Sequence, residues 1–569
     1  MQKRPHNRTE RSAPQKNLRI IPIGGCEEVG RNMTIFEYDG DSIVLDMGIQ
    51  FPDEDMPGVD YIIPNVSYLK GKEREIRAVI LSHGHLDHIG AVSHLVPKIG
   101  NPLIIASPLT KALVMKRHEE FKTKVTLKFR EIRANNQSIK LGKFTVTFFA
   151  VTHSIMDAFG VIIRTPHANI IHLGDWRYDL DPVQGKPTDF SHLAHWNTPS
   201  VPSVLMMESL GAIHPGHQSS EKDVYNNIKK IIENAKGRVI IGTFSSMLER
   251  IGQIIESSES LGRKVAVDGF SMKTNVEIGK RFGYIKSKPN TLIDIAKIND
   301  YPRNKVTVVC TGAQGEGRAV LMRIAEGEHR HVKIEKSDTI VFSSSVIPGN
   351  ELAVQRLKDS LYRKGAEVYH KEIMDVHAGG HAKREDIKLL LQQVKPSYVI
   401  PVYANHYMLR EAEKLTVGEG WKPERVLVPD NGQVMTFEHG VGRLTNERIP
   451  TDYVFVDGLG VGDVSHVVLR DRQMMAGEGM IVVIVTLDIR HGKMIHNPDL
   501  ISRGFIYMKE NKKLIEETRR RVKLLFQNDQ MKNGVDENYY KDRIRNDIGA
   551  FLYQKTQRRP MILPVIIKV

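Results

Sequence analysis

The stretch that most constrains this chain is Ser82-His83-Gly84-His85-Leu86-Asp87-His88. It follows the apolar run Ala78-Val79-Ile80-Leu81, which reads as a buried strand, and precedes Ile89-Gly90-Ala91-Val92, where a helix can begin. Three imidazoles and a carboxylate so close together pack poorly but suit a metal. Zinc takes imidazole nitrogen and carboxylate oxygen, and a catalytic site keeps one position open for water. A merely solvated loop has no need of this spacing directly after a hydrophobic strand.

A chain of 569 residues exceeds what one core can serve, so several domains are expected. No apolar run reaches the ~18 residues that span a bilayer, so no membrane association is expected. The polar, basic stretch 1–17 lacks the hydrophobic segment of a secretory signal and reads as a disordered arm, either a plain solvated tail or a contact for nucleic acid. Two distant cysteines, Cys26 and Cys310, fit a reducing cytoplasm and metal sites built without thiolate. The net charge of +14 favours a polyanionic partner.

Short β-type runs at 18–23, 32–38 and 42–46 open the folded part, and Asp46 ends the third. After the histidine stretch come an apolar run at 103–106, a helix around 110–122, and alternating strands at 125–129 and 144–151. Strands that arrive in hairpins among helices predict an αββα sandwich rather than a doubly wound sheet. Two more polar residues close β-type runs: His153 after 145–151 and Asp175 after 169–174. With the first cluster they supply enough ligands for two metals. From about residue 204, apolar runs ending in Gly, Ser or Thr alternate with helical stretches, the texture of a parallel α/β insert. Such strand ends can cradle phosphates with backbone N–H groups, although ordinary βα turns look the same. The segment at 373–400 then returns to the first domain.

The series Asp46, His83-x-His85-x-Asp87-His88, His153, Asp175 resembles the metallo-β-lactamase fold. On that resemblance His83, His85 and His153 hold one metal, Asp87 and His88 the second, and Asp175 bridges them. Asp46 fixes the ligands from behind by hydrogen bonding. A sandwich split by an α/β insert resembles the β-CASP nucleases. Within them, IPIGGCEEVGRNM at 21–33, TFSS at 243–246, TGAQGE at 311–316, IPGNE at 347–351, VDGLGVGDV at 456–464 and VLRDR at 468–472 resemble the ribonuclease J family. The expected layout is an arm at 1–17, the metallo-β-lactamase domain at 18–205 and 369–448, the β-CASP domain at 206–368, and a small α/β C-terminal domain at 449–569 that helps assemble dimers or tetramers. In its helix at 509–527, Glu516 and Glu517 stand four residues before Arg520 and Arg521, the spacing of helical ion pairs.

Cleaving a phosphodiester requires an activated water, neutralisation of the phosphoryl oxygens and a proton for the leaving oxygen. Two divalent metals supply the first two; zinc is expected, with manganese or magnesium compatible. Asp87 and Asp175 can orient the water. For the third requirement the resemblance offers Glu208 and His381, a carboxylate that favours the protonated form of an imidazole acid. Ser246, His377, Gly379 and Gly380 match the region that receives an RNA phosphate, which implies 5′-to-3′ removal of nucleotides from 5′ monophosphorylated single-stranded RNA, with some endonucleolytic cutting. One departure stands out. The family pattern Pro-Ile/Val-His-Gly-Glu-Tyr is replaced by PVYANHY at 401–407, so Tyr403 holds the place of the last ligand to the second metal. A phenol is a poor zinc ligand at neutral pH. Either Tyr403 coordinates weakly, or His406 substitutes, or the second metal is loose. The rival readings are an impaired paralogue serving as an RNA-binding partner subunit, a small-molecule metallohydrolase and a DNA-directed nuclease. The large α/β insert and the basic charge of the chain disfavour the second, and the ribonuclease J motifs in the insert and tail disfavour the third.

Overall fold

Two mixed sheets face each other because their strands alternate in polarity of burial. In Phe144–Ala150, Phe148 faces the sheet–sheet core while Phe149 faces the outer layer; Ile170 and Ile171, and Val204 and Leu205, divide in the same way. In the computed structural model, which describes residues 16–121, 125–134, 136–183, 187–316, 319–347, 349–462, 466–488, 493–508, 510–527 and 537–569, the first sheet has eight strands. Their order is Val441–Arg448, Gln433–Glu438, Leu18–Gly24, Met33–Tyr38, Asp41–Leu45, Ile76–Ile80, Ile104–Ala106 and Phe129–Glu131. The second has six, in the order Tyr398–Val402, Ser203–Glu208, Asn169–His172, Phe159–Arg164, Phe144–Ala150 and Ser138–Leu141. Phe36, Ile43 and Ile80 from the first meet Phe148, Val161 and Met206 from the second. The helix Arg384–Val394 covers the outer face of the second sheet through Ile387, Leu390 and Leu391. This is the αββα sandwich that the strand pattern predicts.

The insert is a parallel six-stranded sheet in the order Leu292–Ile293, Lys264–Asp268, Val306–Cys310, Val239–Thr243, Thr339–Ser343, Glu367–Tyr369. Its three central strands, Val306–Cys310, Val239–Thr243 and Thr339–Ser343, are buried on both faces and read as continuous apolar runs for that reason. Ser203–Glu208 stays in the sandwich through Glu208, and Glu367–Tyr369 closes the edge of the insert sheet, so the insert starts after Glu208 and ends at Tyr369 or beyond.

A second compact unit comprises Val454–Val569 together with Phe51–Ile62. The early segment belongs there because Val59 and Ile62 pack on Phe455 and Leu469, and the Asp60 N–H donates to the Val456 carbonyl at 2.9 Å. Nothing in the local sequence of 51–62 announces so distant a partner. In the tail, Met480–Asp488 pairs with Asp499–Arg503 and, in parallel, with Met561–Lys568. The helix Lys512–Gln527 does not form the ion pairs its spacing predicts. Glu516 pairs with Arg519, while Glu517 reaches Lys555 at 2.8 Å and Arg521 reaches Asp547 at 2.6 Å on the helix Glu537–Thr556. For Glu517 and Arg521 the partners come from the neighbouring helix, while Glu516 is taken by Arg519 one residue short of the expected spacing.

The expected strand at 125–129 is displaced to Phe129–Glu131, because the Val125 carbonyl is taken by His118 Nε2 at 2.9 Å. The expected basic arm, apart from Lys16 and Asn17, lies outside the described residues, as do Lys122, Pro348, Asp463, Val464 and Lys509 of the predicted helices and motifs.

Candidate metal centre

The strands Asp41–Leu45 and Ile76–Ile80 run parallel, as do Asn169–His172, Ser203–Glu208 and Tyr398–Val402. Phe144–Ala150 shares the direction of Asn169–His172, since both are antiparallel to Phe159–Arg164. The carboxyl ends within each set therefore fall on one rim, the usual ligand-binding side of such sheets. Asp46, Ser82-His83, His153, Asp175, Glu208 and Tyr403 all lie at or just beyond those ends.

His83, His85, His153 and Asp175 each direct one ligand atom to a common point, all within 4.8 Å of one another. His85 Nδ1 lies 3.1 Å from His83 Nε2 and 3.0 Å from His153 Nε2. Bonds of about 2.0–2.1 Å to a tetrahedral zinc place its nitrogens about 3.3 Å apart, so the spacing suits such an ion. Burial drives His83 and His153 well below the usual histidine range and His85 down to about 4. Neutral imidazoles with convergent lone pairs are ready ligands. Asp87, His88 and Asp175 form a second group that shares Asp175, with His88 Nε2 3.3 Å from Asp175 Oδ1 and 3.5 Å from Asp87 Oδ2. Burial lowers the affinity of His88 for a proton, but Asp175, Asp87 and Asp46 outweigh it and hold the ring protonated. The positive charge sits where a cation would serve the same carboxylates. The donor set fits two divalent metals.

The supports behind the ligands are fully buried. Asp46 accepts from Ser82 N at 2.8 Å, Ser82 Oγ at 2.9 Å and His88 Nδ1 at 2.8 Å, which aims His88 Nε2 into the site. His153 Nδ1 donates to the Gly380 carbonyl at 2.7 Å, which fixes its tautomer. Gly380 must be glycine: a Cβ there would lie 2.6 Å from both His153 Cε1 and Ser154 Oγ. Glu208 Oε2 is 3.5 Å from His381 Nδ1, and Asp175 Oδ2 is 3.9 Å from it. Desolvation opposes a charge on His381, but these carboxylates overcome it and raise the imidazole to about 9. Its side chain is 38% exposed, so a protonated imidazole beside Asp175 is within reach of solvent.

Tyr403 directly follows the strand Tyr398–Val402 on the same rim. Its hydroxyl donates to Asp46 Oδ2 at 3.3 Å, behind His88, and burial together with Asp46 and Asp175 keeps the phenol protonated far above its usual pKa. Its backbone has φ of 60°, a conformation rare for a bulky residue and costing on the order of 1–3 kcal/mol. The strand end thus keeps a shape that presents a side chain to the rim. His406 belongs to a different group. It opens the helix His406–Gly418, is half exposed, and groups with Glu27 and Asp430 away from the cluster.

Ser246 lines a cavity of about 220 Å³ with Thr243, Ser271, Thr311 and Gln314, at the carboxyl ends of the insert strands. The crevice between Val239–Thr243 and Val306–Cys310 is where successive connections leave in opposite directions, the position at which parallel sheets bind ligands. His377 is buried beside Phe244, at 5.9 Å between ring centroids, and burial lowers it to about 3. The Gly379 carbonyl accepts from Gln218 Nε2 at 3.1 Å.

Three contributors carried no assigned role in the sequence reading. Ser82 anchors Asp46, as above. Asn32 Nδ2 lies 3.0 Å from His88 Nε2. His172 is buried, accepts from Gly174 N at 3.0 Å and stands 5.2 Å from the Tyr403 ring. The only signal for His172 was an imidazole inside an apolar strand.

Residues 27–242 match the metallo-β-lactamase superfamily, residues 236–361 the ribonuclease J β-CASP domain, and residues 467–569 the ribonuclease J C-terminal domain. The chain is 38% identical to ribonuclease J of Thermus thermophilus over 98% of its own length and 96% of that protein. It is 35% identical to ribonuclease J 1 of Streptococcus pyogenes, over 98% and 99%. It is 33% identical to ribonuclease J2 of Bacillus subtilis, over 97% and 99%. A crystal structure from Enterococcus faecalis, described as a protein of unknown function, shares the fold with a TM-score of 0.54 at 17% identity, covering 74% of this chain and all of that one.

Proposed function

The chain belongs to the ribonuclease J family, and from that premise we propose that it is a metal-dependent ribonuclease. It hydrolyses RNA phosphodiesters chiefly as a 5′-to-3′ exonuclease that prefers a 5′ monophosphate, with some endonucleolytic cutting, in RNA maturation and decay in the cytoplasm. The observation that carries this reading is the convergence of His83, His85, His153 and Asp175 on one point with the His381–Glu208 pair at its edge.

In this reading His83, His85 and His153 would hold one cation and Asp87 and His88 the other, with Asp175 available to both. Zinc suits the three-imidazole set, and the carboxylate-rich set also suits manganese or magnesium. The bound ions would supply Lewis acidity towards the scissile phosphate and a water that is nucleophilic at neutral pH. Asp87 and Asp175 orient that water. His381 gives its Nδ1–H or Nε2–H to the leaving oxygen, and Glu208 keeps the imidazole charged until then. Ser246, His377 and the peptide groups of Gly379 and Gly380 receive the terminal phosphate, which fixes the cut one nucleotide in.

The C-terminal unit serves assembly into dimers or tetramers. In support, Leu563, Val565 and Ile567 are exposed on Met561–Lys568, whose outer edge pairs with no strand among the described residues. Tyr403 favours one second reading, an impaired paralogue that binds RNA for a partner subunit. One digestion separates the two. RNA labelled at either end, with a 5′ monophosphate or triphosphate, is incubated with wild type and with His83→Ala. Mononucleotides released from the monophosphorylated end by wild type alone support the ribonuclease; RNA bound but left intact by wild type supports the partner subunit.

A further inference from the structure

The loop 376–382 carries His377, Gly379, Gly380 and His381, and its carbonyls are held by an ionic network that the proposed chemistry does not use. Glu221 lies on the helix Glu221–Asn234, and its carboxylate binds Arg250 through Nε and, at 2.7 Å, through Nη2, and Arg177 Nη1 at 3.2 Å. All three side chains are at most 2% exposed. Burial opposes the charge on Glu221, but the two guanidinium groups hold its carboxyl down at about 2. Arg250 also donates to Ser343 Oγ at 2.6 Å and to the Val376 carbonyl at 3.3 Å, and Ser343 Oγ donates to that carbonyl at 2.7 Å. Arg177 Nη1 lies 3.4 Å from the Gly379 carbonyl. The next carbonyl, that of Gly380, accepts from His153.

The two arginines come from the two places where RNA would be handled. Arg250 stands in the first turn of Leu248–Ser260, just after the Ser245-Ser246 turn of the cavity, and Arg177 follows Asp175 by two residues. Desolvating several charges is expensive, and apolar residues of the same shape would often be more stable. Stability alone therefore does not account for the network, and what it visibly does is hold the carbonyls of Val376 and Gly379. We propose that Glu221 is a positioning residue. Through Arg250 and Arg177 it clamps the loop that presents His381 and Gly380, so that filling the insert cavity with a 5′ phosphate is coupled to alignment of the proton donor over the metal site. The proposal rests on the ribonuclease reading for its catalytic half.

The test compares Glu221→Gln, which leaves the two arginines with less negative charge, with Glu221→Gln/Arg250→Met, which restores the balance but not the clamp. Four quantities are read on each full-length protein: melting temperature, bound metal, amide hydrogen exchange at 378–382, and single-turnover rates on 5′ monophosphate and 5′ hydroxyl RNA. The double variant is expected to melt near wild type and to hold the same metal. It should exchange faster at 378–382, lose on the order of tenfold to a hundredfold in kcat with little change in KM, and lose its preference for the phosphorylated end. A double variant with wild-type exchange, or with wild-type kcat and end preference, overturns the proposal. If wild type itself cleaves no RNA, the ribonuclease reading falls, and the exchange at 378–382 alone decides the clamp.

Discussion

The two halves of the metal pocket are built from the same rim but not to the same standard. In one half, three neutral imidazoles are spaced as a tetrahedral ion requires, and His83 and His153 are each held from behind, by Ser82 Oγ and the Gly380 carbonyl. In the other, two carboxylates and His88 converge, and the residue at the strand end, Tyr403, turns its hydroxyl to Asp46. The difference teaches that one rim can carry two unequal donor sets. At Tyr403 the backbone is left-handed and the hydroxyl donates to Asp46. From that asymmetry the proposed function predicts one tightly held ion and one more labile ion, which the metal titrations below would check.

The largest expected effect falls on the complete half. His83→Ala should abolish both RNA hydrolysis and tight metal binding, read by mass-spectrometric metal content beside a digestion. Next, His381→Ala should lower kcat by about 10²–10⁴-fold while leaving the metal content of both halves unchanged; loss of metal instead would make His381 a ligand. Third, Tyr403→His should raise occupancy of the carboxylate-rich half, and Gly380→Ala, by pressing on His153, should weaken the imidazole half by about 10–100-fold in affinity. Equilibrium titrations of chelated protein would show these shifts in opposite directions. The smallest effect is that of Tyr403→Phe, which removes one donor to Asp46 and should cost about 1 kcal/mol of stability in denaturant unfolding with metal affinity nearly intact. A large loss of metal in that variant would make the phenol a ligand after all.

The sandwich, the insert and the ligand-bearing strand ends were legible because each follows from local chemistry: alternation for half-buried strands, continuous apolar runs for the insert, and imidazoles where a strand stops. Asp46, His153 and Asp175 stood out only as a set, since a single His or Asp at a strand end is usually a turn residue or a cap. What could not be read is set by distance in the chain. Nothing near 51–62 shows that Val59 and Ile62 pack on Phe455, and nothing near Glu517 shows that Lys555 outcompetes a residue on its own helix. The direction of the Tyr403 hydroxyl depends on Asp46, far away in sequence. His406 was a reasonable substitute by spacing alone, but a helix begins at it and carries it to Glu27 and Asp430.

The most direct test is to strip the full-length protein with a chelator and return zinc or manganese stepwise, following bound ions and mononucleotide release from 5′ monophosphorylated RNA in the same samples. The account predicts one tight binding step, a second weaker one, and hydrolysis that returns with occupancy of the pocket in wild type but not in His83→Ala. Hydrolysis at full rate in the stripped protein, or unchanged ion binding in His83→Ala, would contradict it.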